Sequence, residues 1–143
     1  MKNIISYAAE QSDSFREKPL NAVDSLVLSQ LSYLHLDGFV PGISDTAEAV
    51  SIAEIARKEN TGTLFRGVRD RENNRKLFNA LANSPRFRDI RMTYYVNKID
   101  LNEEKQFSAV TYLLDDGTAY VAYRGTDATF VGWKEDFNMG FIS

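Results

Sequence analysis

Cysteine is absent from the 143 residues, and histidine occurs once, as His35. The chain therefore cannot form disulfides, use thiolate catalysis or hold a metal ion through cysteines or several histidines, and we expect neither a metal nor a cofactor. Long apolar runs are also lacking. No stretch approaches the roughly 18 apolar residues that a membrane span requires, and the apolar run near Met1 is too short for a signal peptide. The sequence thus predicts a cytoplasmic protein without a transmembrane segment.

The signatures of two enzyme classes are missing as well. No serine lies in a Gly-x-Ser-x-Gly elbow, and Gly42-Ile43-Ser44 comes closest, with threonine at position 46. No phosphate-binding Gly-x-Gly-x-x-Gly occurs. His35 lies between two leucines late in an expected helix, and we interpret it as a structural or surface residue. The pairs Glu103-Glu104 and Asp115-Asp116 fall in expected turns, and we interpret them as solubilising loop residues rather than an acid/base pair.

Basic residues are concentrated in one segment although the net charge is −3. Residues 57–91 carry ten of the 17 lysines and arginines but only four of the 20 acids. Such a segment could bind an anionic partner such as a phosphate or a lipid headgroup, while a solvated helix face is the simpler interpretation. Aromatic residues do not alternate with these charges as a stacking platform for bases requires. We therefore expect no nucleic-acid partner.

Residues 1–90 are typical of a mainly helical region. Apolar residues recur at helical spacing after Asn21, which is a good N-cap. Asp45 and Glu48 have the spacing of a capping box, which predicts that a second helix opens there. A third helix is predicted from about residue 70 to residue 83 by its apolar stripe.

Residues 91–126 change to the pattern of strands. Three runs are rich in β-branched and aromatic residues, namely IRMTYYVNKI, KQFSAVTYLL and TAYVAYRG. Asp115-Asp116-Gly117 between the last two predicts a tight turn. We predict that residues 118–124 form an inner, strongly buried strand paired with 106–114, with Thr126 at its exit. Taken alone, the chain predicts a single α+β domain with helices first and an antiparallel meander second.

The last predicted strand ends at Arg124-Gly125-Thr126. The hydroxyl and the backbone N–H of Thr126 are two donors close together, and Gly125 leaves room for a close approach of the backbone. Donors so arranged on the loop after a rigid strand suit an oxyanion site. An ordinary Gly-Thr-Asp turn is the alternative that this pattern leaves open.

A wider segment resembles a known family of enzymes. VAYRGTDATFVGWKEDFNMGF is similar to the oxyanion segment of the class 3 lipases, in which a hydrophobic strand runs into Phe/Tyr-Arg-Gly-Ser/Thr and a Trp-x-x-Asp follows. The matching positions here are Tyr123, Arg124, Gly125, Thr126, Trp133 and Asp136. Most of the chain, including NAVDSLVLSQLSYL, resembles the bacterial Mbeg1-like branch, a domain of unknown function in the α/β-hydrolase superfamily. The resemblance implies that residues 1–143 are the N-terminal part of an α/β-hydrolase fold.

The same resemblance implies roles for single residues. Thr126 would help to hold the tetrahedral oxyanion of ester hydrolysis. Residues 127–143 would form a lid-like segment, and its Trp133 and Asp136, together with Gly125, would contact the substrate. A packing role for Trp133 and an ion-pair or helix-end role for Asp136 are open alternatives.

The order of catalytic residues in the superfamily leads to an expectation about activity. The nucleophile, the acid and the histidine follow the oxyanion strand, and none of them is identified in this chain. We therefore expect the intact protein to be a serine-dependent hydrolase of small-molecule or lipid acyl esters. Residues 1–143 would be a truncated part of it, inactive alone and prone to self-association through an open sheet edge. The alternative is a non-catalytic module that binds an anionic or protein partner through residues 57–91 or the sheet edge.

Overall fold

The computed structural model describes residues 3–100, 102 and 105–124. Within them, helices occupy the first part of the chain and a sheet the second, so the architecture is α+β. The α/β-hydrolase fold implied by the resemblance stays a prediction. In chain order the elements are α1 (Ile4–Glu10), α2 (Ala22–Leu31), β1 (Val50–Ser51), α3 (Ile52–Lys58), a 3-10 turn (Thr63–Phe65), α4 (Arg71–Asn83), β2 (Arg91–Asp100), β3 (Lys105–Leu113) and β4 (Ala119–Arg124).

The four strands form one antiparallel sheet in the order β1-β2-β3-β4. β3 and β4 pair in the register Val110↔Ala122, which confirms the predicted pairing. The tight turn predicted between them is also confirmed. Leu114 N donates to Thr118 O at 2.9 Å, and Gly117 has a φ of 89°. This turn needs the left-handed backbone that glycine adopts without a steric penalty.

The prediction that β4 is an inner, strongly buried strand is wrong for the described part of the chain. There, β4 lies at one end of the strand order and pairs only with β3. Ala122 is 4% exposed, whereas Val121 is 53% and Tyr123 is 73% exposed. Successive side chains of a strand point to opposite faces, and only the face that bears Ala122 meets the helices.

Local capping explains where two of the predicted helices begin. Asn21 Oδ1 accepts a hydrogen bond from Asp24 N at 2.9 Å, and Asp24 Oδ2 accepts one from Asn21 N at 3.0 Å. This reciprocal capping box confirms Asn21 as the N-cap of α2. Asp70 is likewise the N-cap of α4, since its side chain accepts a hydrogen bond from Asn73 N.

The predicted capping box at Asp45 and Glu48 is wrong. Asp45 Oδ2 instead accepts a hydrogen bond from Gly42 N at 2.8 Å inside a turn. α3 begins later, at Ile52, behind a capping box formed by Ser51 and Glu54. The helix cannot begin earlier because the residues of β1 pair with β2 and are held extended.

The helices pack on one face of the sheet and enclose a hydrophobic core. Its members from the helices include Ile4, Tyr7, Leu28, Leu31, Leu77, Phe78 and Leu81, and those from the sheet include Met92, Val110, Tyr112 and Ala122. Tyr112 Oη donates to Leu28 O at 2.8 Å and so joins α2 to β3. No helix in the described ranges combines the length and the apolar character that crossing a membrane requires.

A buried ion pair lies at the junction of α2 and the turn after α4. Both the Arg86 and the Asp24 side chains are 0% exposed, and their Nη2–Oδ2 distance is 2.5 Å. Tyr7 Oη also donates to Asp24 Oδ1, at 2.9 Å. Burial opposes the charged form of Arg86, but the hydrogen bond and the charge of Asp24 outweigh it and raise the pKa of Arg86. Arg86 is therefore a structural member of the basic segment, unavailable to a partner.

Candidate functional site

The strand that leads to the predicted oxyanion residues ends at a polar cleft. β4 runs to Arg124, which lines a cavity of ≈ 260 Å³ that we call the β4 cleft. The described residues that line it are Tyr33, Leu34, His35, Arg66, Gly67, Val68, Tyr95, Asn97, Gln106 and Arg124. Gly125, Thr126, Trp133 and Asp136 lie outside the described residues, as does the whole lid-like segment 127–143. Their roles stay predictions.

Arg124 brings a half-buried cation to this cleft. Its guanidinium carbon lies 5.0 Å from the centre of the Tyr33 ring, a favourable cation–π distance. Its Nε is buried and has no hydrogen-bond partner among the described residues. A buried N–H without an acceptor costs free energy.

Arg66 is the second cation of the β4 cleft and is exposed. It follows the 3-10 turn, and Gly67 beside it has a φ of 69°. Neither Arg66 nor Arg124 forms an ion pair within residues 3–100, 102 and 105–124. The described lining of the cleft holds two cations and no acid, with the Asp37 carboxylate next to it at Tyr95 and His35.

Tyr95 forms one wall of the cleft and stays neutral at physiological pH. Its side chain is 9% exposed, and its hydroxyl donates to Asp37 Oδ2 at 3.4 Å. Burial, with a further contribution from the nearby Asp37 charge, raises the pKa of Tyr95 to about 12, although Arg124 acts in the opposite direction. Tyr95 thus presents a neutral hydroxyl to the cleft, not a phenolate.

A β-bulge directs Tyr95 toward this cleft. The register between β2 and β3 shifts between Thr93 and Val96, and Tyr94 has a φ of 52°. Tyr94 is 53% exposed while Tyr95 is buried. Bulges re-aim side chains in this way and are common beside functional sites. Such a bulge depends on pairing between strands, so the run IRMTYYVNKI carried no signal for it.

His35 lies in the cleft but not in a helix. α2 ends at Leu31, and the backbone N–H of His35 donates to Leu64 O at 2.8 Å. The prediction that His35 sits late in the helix is therefore wrong. Its Nδ1 lies 3.7 Å from Asp37 Oδ2, which is long for a hydrogen bond. In the described lining of the cleft, no serine or threonine accompanies this pair.

A second, more apolar cavity adjoins the β4 cleft. It has a volume of ≈ 520 Å³ and lies between the turn at residues 42–45 and the strands β2 and β3. Tyr95 and Asn97 line both cavities. Two of its lining residues, Ile43 and Phe107, are 63% and 46% exposed. Ser44 also lines it, within a turn and not at a strand-to-helix elbow, so no nucleophile is assigned there.

Several cations of the basic segment 57–91 have partners within the described structure. Arg86 is buried, and Arg75 lies over the Phe65 ring at 5.4 Å. Lys76 lies 3.8 Å from Glu72 one helical turn away. Of the charged side chains in this segment, Arg66 is the one that lines the β4 cleft.

Sequence reasoning missed most of the cleft. Tyr33, Arg66, Tyr95 and Gln106 come from separate parts of the chain and share no motif. The exception is Arg124, which lies in the Arg-Gly-Thr motif. In the described part of the chain, no group of three or more His, Asp or Glu side chains is arranged to hold a metal ion.

Comparison with known proteins gives one match. The model of the family described as Mbeg1-like matches residues 81–143, which is a little under half of the chain. The matched segment contains β2, β3 and β4 and the Arg-Gly-Thr motif. No curated protein matches the chain, and no solved structure matches it. None of these comparisons supports the assignment to the α/β-hydrolase superfamily. From residue 81 onward, then, this chain is similar to the Mbeg1-like family.

Proposed function

We propose that the chain forms part of a serine-dependent acyl-ester hydrolase, with the oxyanion site beside the β4 cleft. One observation carries the proposal: the strand that resembles the oxyanion strand of the class 3 lipases ends at an open cleft. Arg124, which directly precedes Gly125, lines that cleft. A strand end buried in packed side chains would leave no room for a substrate. The Mbeg1-like match covers this same segment and adds support.

In the proposed mechanism, an activated serine attacks the ester carbonyl and the carbonyl oxygen becomes an oxyanion. Thr126 would donate to that oxygen from its hydroxyl and its backbone N–H, and Gly125 would allow the close approach. The raised pKa of Tyr95 keeps its hydroxyl protonated, so no phenolate charge opposes the oxyanion nearby. Trp133 and Asp136 would lie in a segment that covers the substrate and excludes water.

The experiment is a hydrolysis assay on the complete gene product with p-nitrophenyl butyrate. Thr126→Ala should lower kcat roughly 10²-fold, the low end for removal of one oxyanion donor, because the backbone N–H remains. Thr118→Ala is the matched control, since Thr118 lies exposed in the turn before β4 and away from the β4 cleft. Its kcat should stay within about twofold of the unmodified protein.

Two results would contradict the proposal. Absence of hydrolysis of every ester in a series of short and long acyl chains would remove the hydrolase function. Equal kcat for Thr126→Ala and the unmodified enzyme, with the fold preserved, would make Thr126 a turn residue only.

The alternative function is an interaction module, and the exposed face of the sheet favours it. Phe107, Val121 and Tyr123 are exposed, and the last two lie on the same face of β4. β4 also has a free edge among the described strands, and exposed edges pair with other strands. In this alternative, a second copy of the chain pairs along β4. Light scattering distinguishes the two: a dimer that Val121→Lys dissociates, without any esterase activity, would favour the module.

A further inference from the structure

We propose that the β4 cleft binds the phosphate group of a small phosphate ester through Arg66 and Arg124. The same chemistry is found in a free phosphorylated metabolite and in a lipid headgroup. The inference goes beyond the hydrolase proposal, because it depends on the charge and burial of the cleft and not on catalysis.

The first argument is charge. The described lining of the cleft holds two guanidinium groups and no carboxylate. The Asp37 carboxylate lies beside this lining, where it accepts from the Tyr95 hydroxyl and lies 3.7 Å from His35 Nδ1, and it forms no ion pair with either arginine. Two guanidinium charges match the near-dianionic charge of a phosphate monoester better than the single charge of a carboxylate.

The second argument is the buried Nε of Arg124. A solvated surface arginine has its donors satisfied by water, but this N–H is buried and lacks an acceptor among the described residues. A phosphate oxygen would remove the cost of the missing hydrogen bond once a small shift of the Arg124 side chain exposes this N–H to the cleft. Guanidinium groups present their N–H donors in a planar fork that matches phosphate oxygens.

The third argument is preorganisation. The Tyr33 ring lies 5.0 Å from the guanidinium carbon of Arg124 and restrains this side chain before any ligand binds, which lowers the entropy lost on binding. Asn97 also lines the cleft and adds an amide donor. Arg66, being exposed, is free to approach the outer oxygens of the ligand. The cavity of ≈ 260 Å³ has room for a phosphate and a short ester group, while the adjoining apolar cavity begins at Tyr95 and Asn97.

The test is an NMR titration of residues 1–143, labelled with ¹⁵N, with inorganic phosphate at constant ionic strength. Saturable shifts are expected at the amides of residues 33–35 and 66–68. Arg66→Gln should raise Kd roughly tenfold, the effect of losing one charged hydrogen bond. Arg57→Gln removes the same charge from an exposed position outside the cleft, and it should leave Kd within about twofold.

Further titrations identify the source of the phosphate. Glycerol 3-phosphate should bind at the same amides as inorganic phosphate. Cosedimentation with phosphatidylcholine vesicles that contain phosphatidic acid, but not with phosphatidylcholine alone, would assign a lipid headgroup. Binding of glycerol 3-phosphate without cosedimentation would assign a free metabolite.

Two results would overturn the inference. The first is that phosphate causes no saturable shift at the cleft amides of the folded protein. Alternatively, Arg57→Gln could weaken binding as much as Arg66→Gln, which would show nonspecific attraction to the basic segment. Both results are independent of the esterase assay, so this inference and the hydrolase proposal can fail separately.

Discussion

Arg86→Met should lower the free energy of unfolding by about 3–5 kcal/mol, because it removes one partner of a fully buried ion pair. The Asp24 carboxylate would remain 0% exposed without its cation. Tyr7 Oη and the backbone N–H of Asn21 would still donate to Asp24. These two hydrogen bonds place the expected loss nearer the lower end of the range.

The other contacts of Arg86 would also be lost, and they contribute to the expected loss of about 3–5 kcal/mol. Its Nη1 donates to the carbonyl oxygens of Asp13 and Ser14 at 2.9 and 3.2 Å. Its guanidinium also stacks on the Phe15 ring at 3.9 Å. The loop before α2 is thereby joined to the turn after α4. Methionine keeps the length of the aliphatic stem, so the measured loss reports mainly on the lost donors and charge.

The assay is urea unfolding of residues 1–143, followed by far-UV circular dichroism. Arg88→Met is the matched control, since Arg88 is a half-exposed arginine in the same turn whose Nε lies 3.9 Å from Asp89. It should cost less than about 1 kcal/mol, as exposed ion pairs do. Equal losses for Arg86→Met and Arg88→Met would refute the reasoning.

A double variant tests the same reasoning from the opposite direction. Asp24→Leu with Arg86→Met leaves no buried charge, so its loss should be smaller than the sum of the two single losses. Recovery should be incomplete because Asp24 also belongs to the capping box of α2. A strictly additive double variant would mean that the two side chains do not interact.

Two further predictions concern the sheet. The pKa of Tyr95 is raised from 10.0 to about 12, so the stability that its neutral form contributes is complete below pH 10 and is lost between pH 10 and pH 12. The total loss is roughly 2–3 kcal/mol. Tyr95→Phe should flatten the fall in unfolding free energy over this window, and equal slopes for both proteins would contradict the burial of the Tyr95 hydroxyl. Gly117→Ala should lower the free energy of unfolding, measured in urea, by about 1–2 kcal/mol. The cause is the φ of 89° alone, since a Cβ there meets no atom within 4 Å. An unchanged urea midpoint would mean that residue 117 does not have this left-handed conformation.

Features built from neighbouring residues were predictable from the sequence alone. The N-caps of α2 and α4 each depend on hydrogen bonds across three residues. The turn at Asp115-Asp116-Gly117 depends on one glycine, and it set the pairing of β3 with β4. α1 followed the same local rule, because Asn3 and Ser6 form its capping box, but a helix of one or two turns has too few apolar repeats to be recognised by periodicity.

Features built from distant residues were decided by the tertiary structure. Ser51, not Asp45, caps α3 because β1 pairs with β2 some 40 residues later in the chain. Arg86 looked like one more solvated cation, and only the packing of α2 against the turn after α4 buries it on Asp24.

The candidate site belongs almost wholly to this second class. Arg124 was part of a recognisable motif, but its neighbours Tyr33, Arg66 and Tyr95 come from a loop, a turn and a bulge. Caps and turns are decided by energies between residues three or four positions apart, which a sequence displays directly. A cleft and its charge balance depend on which distant segments meet, and that is decided only when the whole core packs.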